Sequence, residues 1–560
     1  MTENKNRPTA ANSEAIEELS TGSYDDSTAV VSAPSSTATH RVGPRPSQHV
    51  ATSEETLIDE VVSRYLTSVA GKPVTMTEIR DVLISQINST FALENLGRAA
   101  VKDENGYIIE AASTSPPIPK VRFLDEGTVV RVLLARFRIV KIDLADGLGE
   151  ADMEVLARYV ENGPDAGTYD TGADELKRLA SELKPSLTAN TMKSLYESLR
   201  VHAPKVVRTR EPHLCPVANG VFDTRRQELR PFSPDWVFLT KSSTEYDPNA
   251  QNPVIIMPDG EPWDVETWMR DLSDDEGVPE LLWEAISACV RPHEPWNKSM
   301  WLTATQGNNG KGTFVQLQRN LLGRSAFSSV QLVDFGHDFK KEGLVRTSVN
   351  LVDENDVGAF GEKLGDWKAC VTGDVFTMNR KYKTPIQFRW QGFEVQCFNI
   401  EVPRVRDKSV SFLRRLLIVP FRKNFEGIER KYIKHDYLAR PDVLRYVLKR
   451  ALHMQHTELS NPPVCREALH EYNGTNNKVV GFWREFEDQF QWQLVPTAFL
   501  YDLYKSWLSK TDPSAKPEGN KPFVAALKSH LADSPDWTFS EGVRHATGGL
   551  DKPELLIAHY

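Results

Sequence analysis

Apolar positions recur three and four apart from about residue 56 onward. TLIDEVVSRYL, TMTEIRDVLISQI, GTVVRVLLARFRIV and ADELKRLASEL all carry that spacing, so residues 56–200 are predicted to form a helical N-terminal module. The pattern changes in CPVANGVFDTRRQELRPFSPDWVFLTKSSTEYDP, where Asn219-Gly220 and several Pro and Asp residues punctuate short apolar runs. Short strands and turns are expected there. Helical spacing returns at WDVETWMRDL and VPELLWEAISACV, and from about 298 to 421 strand-like runs alternate with helices, the pattern of a sheet covered by helices. Beyond 430 the chain reads as helical until WTFSEGVRHATGGLDKPELLIAHY, which predicts a hairpin with Gly548-Gly549 near its tip. Residues 1–55, rich in Ser, Thr, Ala and Pro, bury too little surface to offset their ordering entropy and are expected to form a disordered tail.

Composition narrows the class. A chain of 560 residues is expected to hold three or four folding units. No run approaches the ~18 apolar residues of a membrane span, and the start, MTENKNRPTAANSEAIEEL, lacks a basic segment followed by an apolar block. The expected location is the cytoplasm, that of the host cell if the chain is phage-encoded, with no membrane partner. Five widely spaced cysteines without a C-x-x-C pair argue against a zinc ribbon or a disulfide framework, so reduced, mostly buried thiols are expected. The net charge of −10 excludes a polycation that coats nucleic acid, and any such contact must come from local charge.

The stretch TATQGNNGKGTF, Thr303 to Phe314, lies between the apolar run MWL and a helical pattern ending on Gly323. A glycine-rich loop between a strand and a helix start can cradle phosphate, because backbone N–H groups converge there and the helix adds favourable partial charge. Against G-x-x-x-x-G-K-[S/T] the chain departs twice: Thr305 replaces the first Gly, and Gly312 follows Lys311, delaying the hydroxyl to Thr313. A plain Gly/Asn turn with an exposed lysine is the competing reading. Downstream, SVNLVDEND has the form of a buried strand delivering Asp353 and Glu354 to a metal-phosphate site, or of a strand ending in a solvated acidic turn. FEVQCFNIEVP ends an apolar strand on Asn399, whose amide could orient a water or simply form a turn. In VSFLRRLLIVPF, Arg414 and Arg415 interrupt an apolar run, suited either to pairing with a nearby acid or to stabilising transition-state charge from a neighbouring subunit.

The ordered set GNNGKGTF, VDEND, TGDVF-x-x-NRKYK, FN-x-x-x-P and FLRRL-x-x-x-PF resembles the superfamily 3 helicases, of the poxvirus and phage or plasmid primase-associated type. NGVFD, LRPFSPD and YDPNA resemble the segment that precedes the helicase core in that family. The resemblance implies an α/β AAA+ (P-loop) core that assembles as a ring, commonly a homo-hexamer, with ATP and Mg²⁺ between subunits. It implies that Gly307, Asn308, Asn309, Gly310, Lys311, Gly312 and Thr313 bind the nucleotide, and that Lys311 contacts its β- and γ-phosphates. Asp353 and Glu354 would serve Mg²⁺ and water activation, with Thr313 the remaining hydroxyl for the metal and Asn399 a sensor. Arg414, then Arg415, is the choice for a finger acting in trans. A basic hairpin, with Arg380, Lys381 and Lys383 around its tip, would enter a central channel and hold single-stranded DNA.

The implied organisation is a tail (1–55), a helical module (56–200), a segment preceding the core (201–290), the core (291–430), a helical linker (431–475) and a winged-helix-like C-terminal domain (476–560). In that last domain Lys521, Lys528, Arg544 and His545 could touch a duplex, or the winged helix could serve protein contacts instead. Phe482, Trp483, Tyr501 and Tyr504 recur at helical spacing, which favours core over base stacking. Residues 56–200 offer no histidine between His49 and His202 and no D-x-D; Asp152 and Glu154 form a D-x-E in a helical pattern that suits solvent exposure. Primer synthesis by this chain is therefore not expected, and a separate primase is a possible partner. The function implied is ATP-driven DNA unwinding, 3′ to 5′, in phage or plasmid replication. The alternatives are an AAA+ helicase loader or origin-binding ATPase without processive unwinding, and a non-hydrolysing scaffold that the Thr305 and Gly312 departures would permit.

Overall fold

The computed structural model describes residues 44–46, 49–149, 154–355, 363–381, 383–399, 405, 407–491, 494–532 and 534–539. Most of the disordered-tail expectation, Asp152, the Gly548-Gly549 hairpin, Arg544 and His545 fall outside them. The chain divides into two units, Met1–Ser53 with Phe91–Pro119, and Glu54–Thr90 with Lys120–Tyr560. In the small unit, Val101–Lys102 pairs antiparallel with Ile108–Glu110. The Asn95 side chain there bonds both the N–H and the carbonyl of Ile118.

In the large unit the region read as helical turns out to be mixed. Helices run over Glu54–Ser68, Glu126–Arg136, Ala173–Leu183 and Ala189–His202. Between them Ile139–Asp143, Val155–Tyr159, Tyr169–Asp170 and Lys205–Val207 build a four-stranded sheet, parallel at one pair and antiparallel at the others. GTVVRVLLARFRIV therefore splits. Asp125 caps its helix by accepting from Thr128 N–H, and the helix stops where Phe137 turns extended. The following β-branched run buries both of its faces, a pattern that helical spacing imitates. Glu154 immediately precedes the strand Val155–Tyr159 rather than lying in a helix, its carboxylate 2.8 Å from the Lys205 ammonium.

The core begins with β1 (Ser299–Ala304), followed by α1 (Lys311–Leu322), β2 (Phe327–Ser328) and β3 (Val349–Val352). Then come α2 (Gly365–Thr372), a hairpin of β4 (Val375–Arg380) and β5 (Lys383–Arg389), β6 (Phe393–Asn399), α3 (Val410–Leu413) and β7 (Leu416–Pro420). Five of these strands make one parallel sheet in the order β2-β3-β6-β1-β7. Both faces are buried, as parallel sheets require. Met300, Leu302, Val395 and Val419 pack with α1 through Phe314, Leu317 and Leu321, while Trp301, Phe398 and Ile418 pack with Trp367 and Phe412. The alternation of those two sets along β1 is the strand period of two.

After the sheet come α4 (Pro441–His453) and α5 (Pro463–Asn476). A C-terminal cluster follows, built by α6 (Lys478–Phe486), α7 (Thr497–Thr511) and α8 (Asn520–Leu531) around Phe482, Trp483, Tyr504 and Phe523. The aromatics are core, with Tyr501 packed against it. Lys521 and Lys528 are exposed on α8. All five cysteines are buried free thiols. Among the described residues no helix is long and apolar enough to cross a membrane.

Candidate active site

The first chemistry-bearing loop leaves the carboxyl end of β1. Thr305 and Gln306 are exposed, and the backbone then turns left-handed at Asn308 (φ 53°) and Gly310 (φ 88°). Gly310 is required twice, since its φ favours glycine and a Cβ there would stand 2.8 Å from Leu272 Cδ2. The Asn309 side chain braces the turn from inside, donating to the Gln306 carbonyl and accepting from Lys311 N–H at 3.2 Å. With that brace in place α1 begins at Lys311, its first turn lining the cleft and its N-cap, Gly310, supplying no side-chain bond, so that the Gly312 N–H has no such partner among the described residues. Uncapped N–H groups at a helix start favour an anion.

Lys311 is 3% exposed, and its Nζ has no hydrogen-bond partner among the described residues. Burial pulls its pKa below the usual lysine value, against the opposing influence of Cys397 and Asp353. A buried ammonium without a partner is costly unless an anion joins it.

β3 delivers the two acids. Asp353 is half-buried, with Oδ2 3.5 Å from Arg319 Nη1 of α1, and Glu354 is exposed. Asn355 then anchors the strand end: its Nδ2 donates to Gln396 Oε1 at 2.9 Å and to the Cys397 carbonyl at 3.0 Å, and its Oδ1 accepts from Leu332 N–H. Asn399 ends β6 in register with Ala304, the last residue of β1. A cleft of about 1000 Å³ at this edge of the sheet is lined by residues 307–313, Asp353, Glu354 and Asn399. Its far wall is Trp263, Trp268 and Leu272, and its roof is the segment 425–435. Gly307 to Thr313, both acids and the amide are thus brought together.

The position of the cleft follows from connectivity. From β1 the chain crosses to β2 at the far edge, while β7 takes the opposite flank of β1. Ligands of parallel α/β sheets bind at the carboxyl ends of strands where the connections part. The residues suit a nucleoside triphosphate with Mg²⁺: a buried ammonium unpartnered among the described residues, a glycine-capped helix start, and a carboxylate and a hydroxyl (Asp353, Thr313) for an ion that typically uses one or two protein groups plus phosphate oxygens.

The remaining predicted residues lie elsewhere. Arg414 is exposed and Arg415 buried, both preceding β7; the Arg415 carbonyl accepts from Ser299 N–H, at the amino end of β1. They sit at the opposite end of the strands from the cleft, roughly 16 Å away at ~3.3 Å per residue. Arg415 is engaged with the Ser411 hydroxyl and carbonyl and with Thr372 Oγ1. Arg380 pairs in register with Lys383, which puts Lys381 at the hairpin turn. Lys381 is exposed, and Arg380 is half-buried, with burial lowering its pKa against Glu342 and Tyr196. The Lys383 side chain lies outside the described residues.

Three contributors escaped sequence reading. The Trp263 and Trp268 wall lies about 30 residues before β1, in a helical stretch given no role, and Asn355 was given no role beside Asp353 and Glu354. The 425–435 roof follows it, where the basic run ERKYIKH was the available signal.

Comparison with known families gives three partial matches. Residues 101–274 match a family described as D5 N terminal like, and residues 474–544 match Poxvirus D5 protein-like. Residues 302–415, which contain the cleft, match a family of unknown function, DUF5906. No curated protein matches. Similar solved structures include an A form apo structure of the NrS-1 C-terminal region, at 13% identity and TM-score 0.38, covering 73% of this chain and 90% of that one. Another is an apo structure of NrS-1 residues 305–718, at 13% identity and TM-score 0.37, covering 72% and 86%. The chain therefore carries D5-type segments on both sides of its parallel-sheet core.

Proposed function

We propose that this protein is an ATP-dependent DNA helicase of phage or plasmid replication, working 3′ to 5′ as a ring, commonly a homo-hexamer, around single-stranded DNA. The single observation that carries the reading is the buried, unpartnered Lys311 ammonium at an uncapped helix start, facing two acids and an amide across one cleft. The D5-type matches favour a replication role.

Lys311 and the α1 N–H groups neutralise the phosphate oxygens of bound ATP. Mg²⁺, held by Asp353 and by Thr313 if its hydroxyl substitutes for the missing one, would supply further positive charge to the same oxygens. Glu354 polarises the attacking water and Asn399 orients it. Arg414, or Arg415 in second place, serves the neighbouring copy's nucleotide, since either stands a sheet's length from its own; such a residue is worth ~10³ to 10⁵ in rate. Hairpin residues Arg380, Lys381 and Lys383 contact the DNA backbone, where a ring of copies multiplies a modest local charge despite the acidic whole.

The test is ATP hydrolysis by the full chain with Lys311→Ala as control, together with displacement of a strand from a fork with a 3′ tail. Hydrolysis with displacement is expected. Hydrolysis alone would indicate a loader, and none at all a scaffold.

A further inference from the structure

The residue after Lys311 is glycine, and the space where its side chain would be is already claimed. A Cβ at Gly312 would meet Asp353 Oδ1 at 3.2 Å, Lys434 Nζ at 3.4 Å and Asp353 Oδ2 at 3.7 Å. A hydroxyl residue here would have to push between a carboxylate and an ammonium. The glycine lets both charged groups reach the first turn of α1.

Lys434 arrives from the roof, in a short helical turn, Lys431–His435, well past the sheet. That roof is tied to the phosphate loop at several points. Phe425 N–H donates to the Asn308 carbonyl at 2.8 Å, Asn308 Nδ2 donates to Glu429 Oε1 at 2.9 Å, and Asn424 Nδ2 donates to Gln306 Oε1 at 3.3 Å. The left-handed turn at Asn308 presents both its carbonyl and its amide to this segment. Other roof cations are differently placed: Arg430 is paired with Asp259 at 2.8 Å, and Lys431 and His435 are exposed. Lys434 is half-buried, lines the cleft, and makes no ion pair among the described residues.

We infer that Lys434 is a second phosphate-binding cation, directed at the terminal phosphate of a nucleoside triphosphate; this rests on the nucleotide reading above. Lys311 is buried at the base of the loop, whereas Lys434 stands on the side of Gly312 that faces Asp353, where the acids act on the end of the phosphate chain. A diphosphate lacks the group that would reach it. Lys434 therefore discriminates triphosphate from diphosphate, and because the roof is tied to the loop, the same contact draws the roof onto the cleft.

The experiment is equilibrium binding of ADP and of a non-hydrolysable ATP analogue to the full chain, for wild type, Lys434→Ala, Lys434→Arg and Gly312→Ala, with thermal melting of each variant. Loss of one charge-assisted hydrogen bond weakens binding by roughly 10- to 100-fold. Lys434→Ala is expected to lose that factor for the triphosphate analogue and keep wild-type ADP affinity, Lys434→Arg to restore much of it, and Gly312→Ala to lose triphosphate preference by intruding between Asp353 and Lys434. Equal loss for both nucleotides, or unchanged selectivity in both Lys434→Ala and Gly312→Ala, overturns the inference while the site stands. Failure of wild type to bind either nucleotide overturns the underlying reading instead.

Discussion

Lys311 sets the energetics of the site before any ligand arrives. Its pKa is lowered by burial, so the folded chain binds fewer protons at this side chain than the unfolded chain does. Its unfavourable contribution is therefore complete below the lowered folded value and shrinks as pH rises from there towards the usual lysine value. Lys311→Met is predicted to stabilise the ligand-free protein by about 1 to 3 kcal/mol in urea unfolding and to abolish the melting-temperature rise expected of wild type with ATP. A destabilised variant would show that Nζ is already satisfied. Asn355 works in the opposite sense: Asn355→Ala removes the acceptor of Leu332 N–H and the donor to Gln396 Oε1, with an expected cost of about 1 to 3 kcal/mol and slower hydrolysis as Asp353 and Glu354 lose their anchor. At this scale Lys311, Asp353 and Asn399 were legible because each sits at a strand or helix boundary that the pattern marks. Lys434 was not, because nothing in the sequence near ERKYIKH says which strand end it will cover.

The strands of the core carry a second, polar message. Glu394 and Gln396 on β6 and Asn350 on β3 share one face of the sheet. Glu394 accepts from Gln396 at 2.7 Å, from Trp367 Nε1 at 2.5 Å and from Asn350 at 3.3 Å. Burial raises its pKa even against these donors. The associated stability is present in full below the usual carboxylate pKa and is lost as pH rises through the raised folded value. Glu394→Gln should flatten the fall of unfolding free energy above about pH 4.5; an unchanged slope would place that titration elsewhere. At the β4–β5 hairpin, Lys381→Ala with Lys383→Ala is predicted to abolish stimulation of ATP hydrolysis by single-stranded DNA, measured against the DNA-independent rate of the same variant. Equal loss of both rates would remove the hairpin from DNA contact. Element type was readable where one period runs long, as in α1. It failed at Ile139–Asp143, where a two-sided apolar strand copies helical spacing and its partner at Lys205–Val207 is a distant parallel segment.

For the whole molecule, the separation of Arg414 and Arg415 from the cleft matters most. Lys311→Ala and Arg414→Ala are each predicted to hydrolyse ATP poorly, yet a mixture of the two should recover activity, because an interface formed by the intact lysine of one copy and the intact arginine of another is complete. No recovery on mixing would move the catalytic arginine elsewhere. On the proposed function, since all five strands of the sheet run the same way, one rim of each copy would offer the nucleotide and the other the arginine. Contacts of that head-to-tail kind do not close at two. An open arc always ends in a half-built pocket at each tip, so turnover per copy should climb with assembly size and level off only when the last gap is shut.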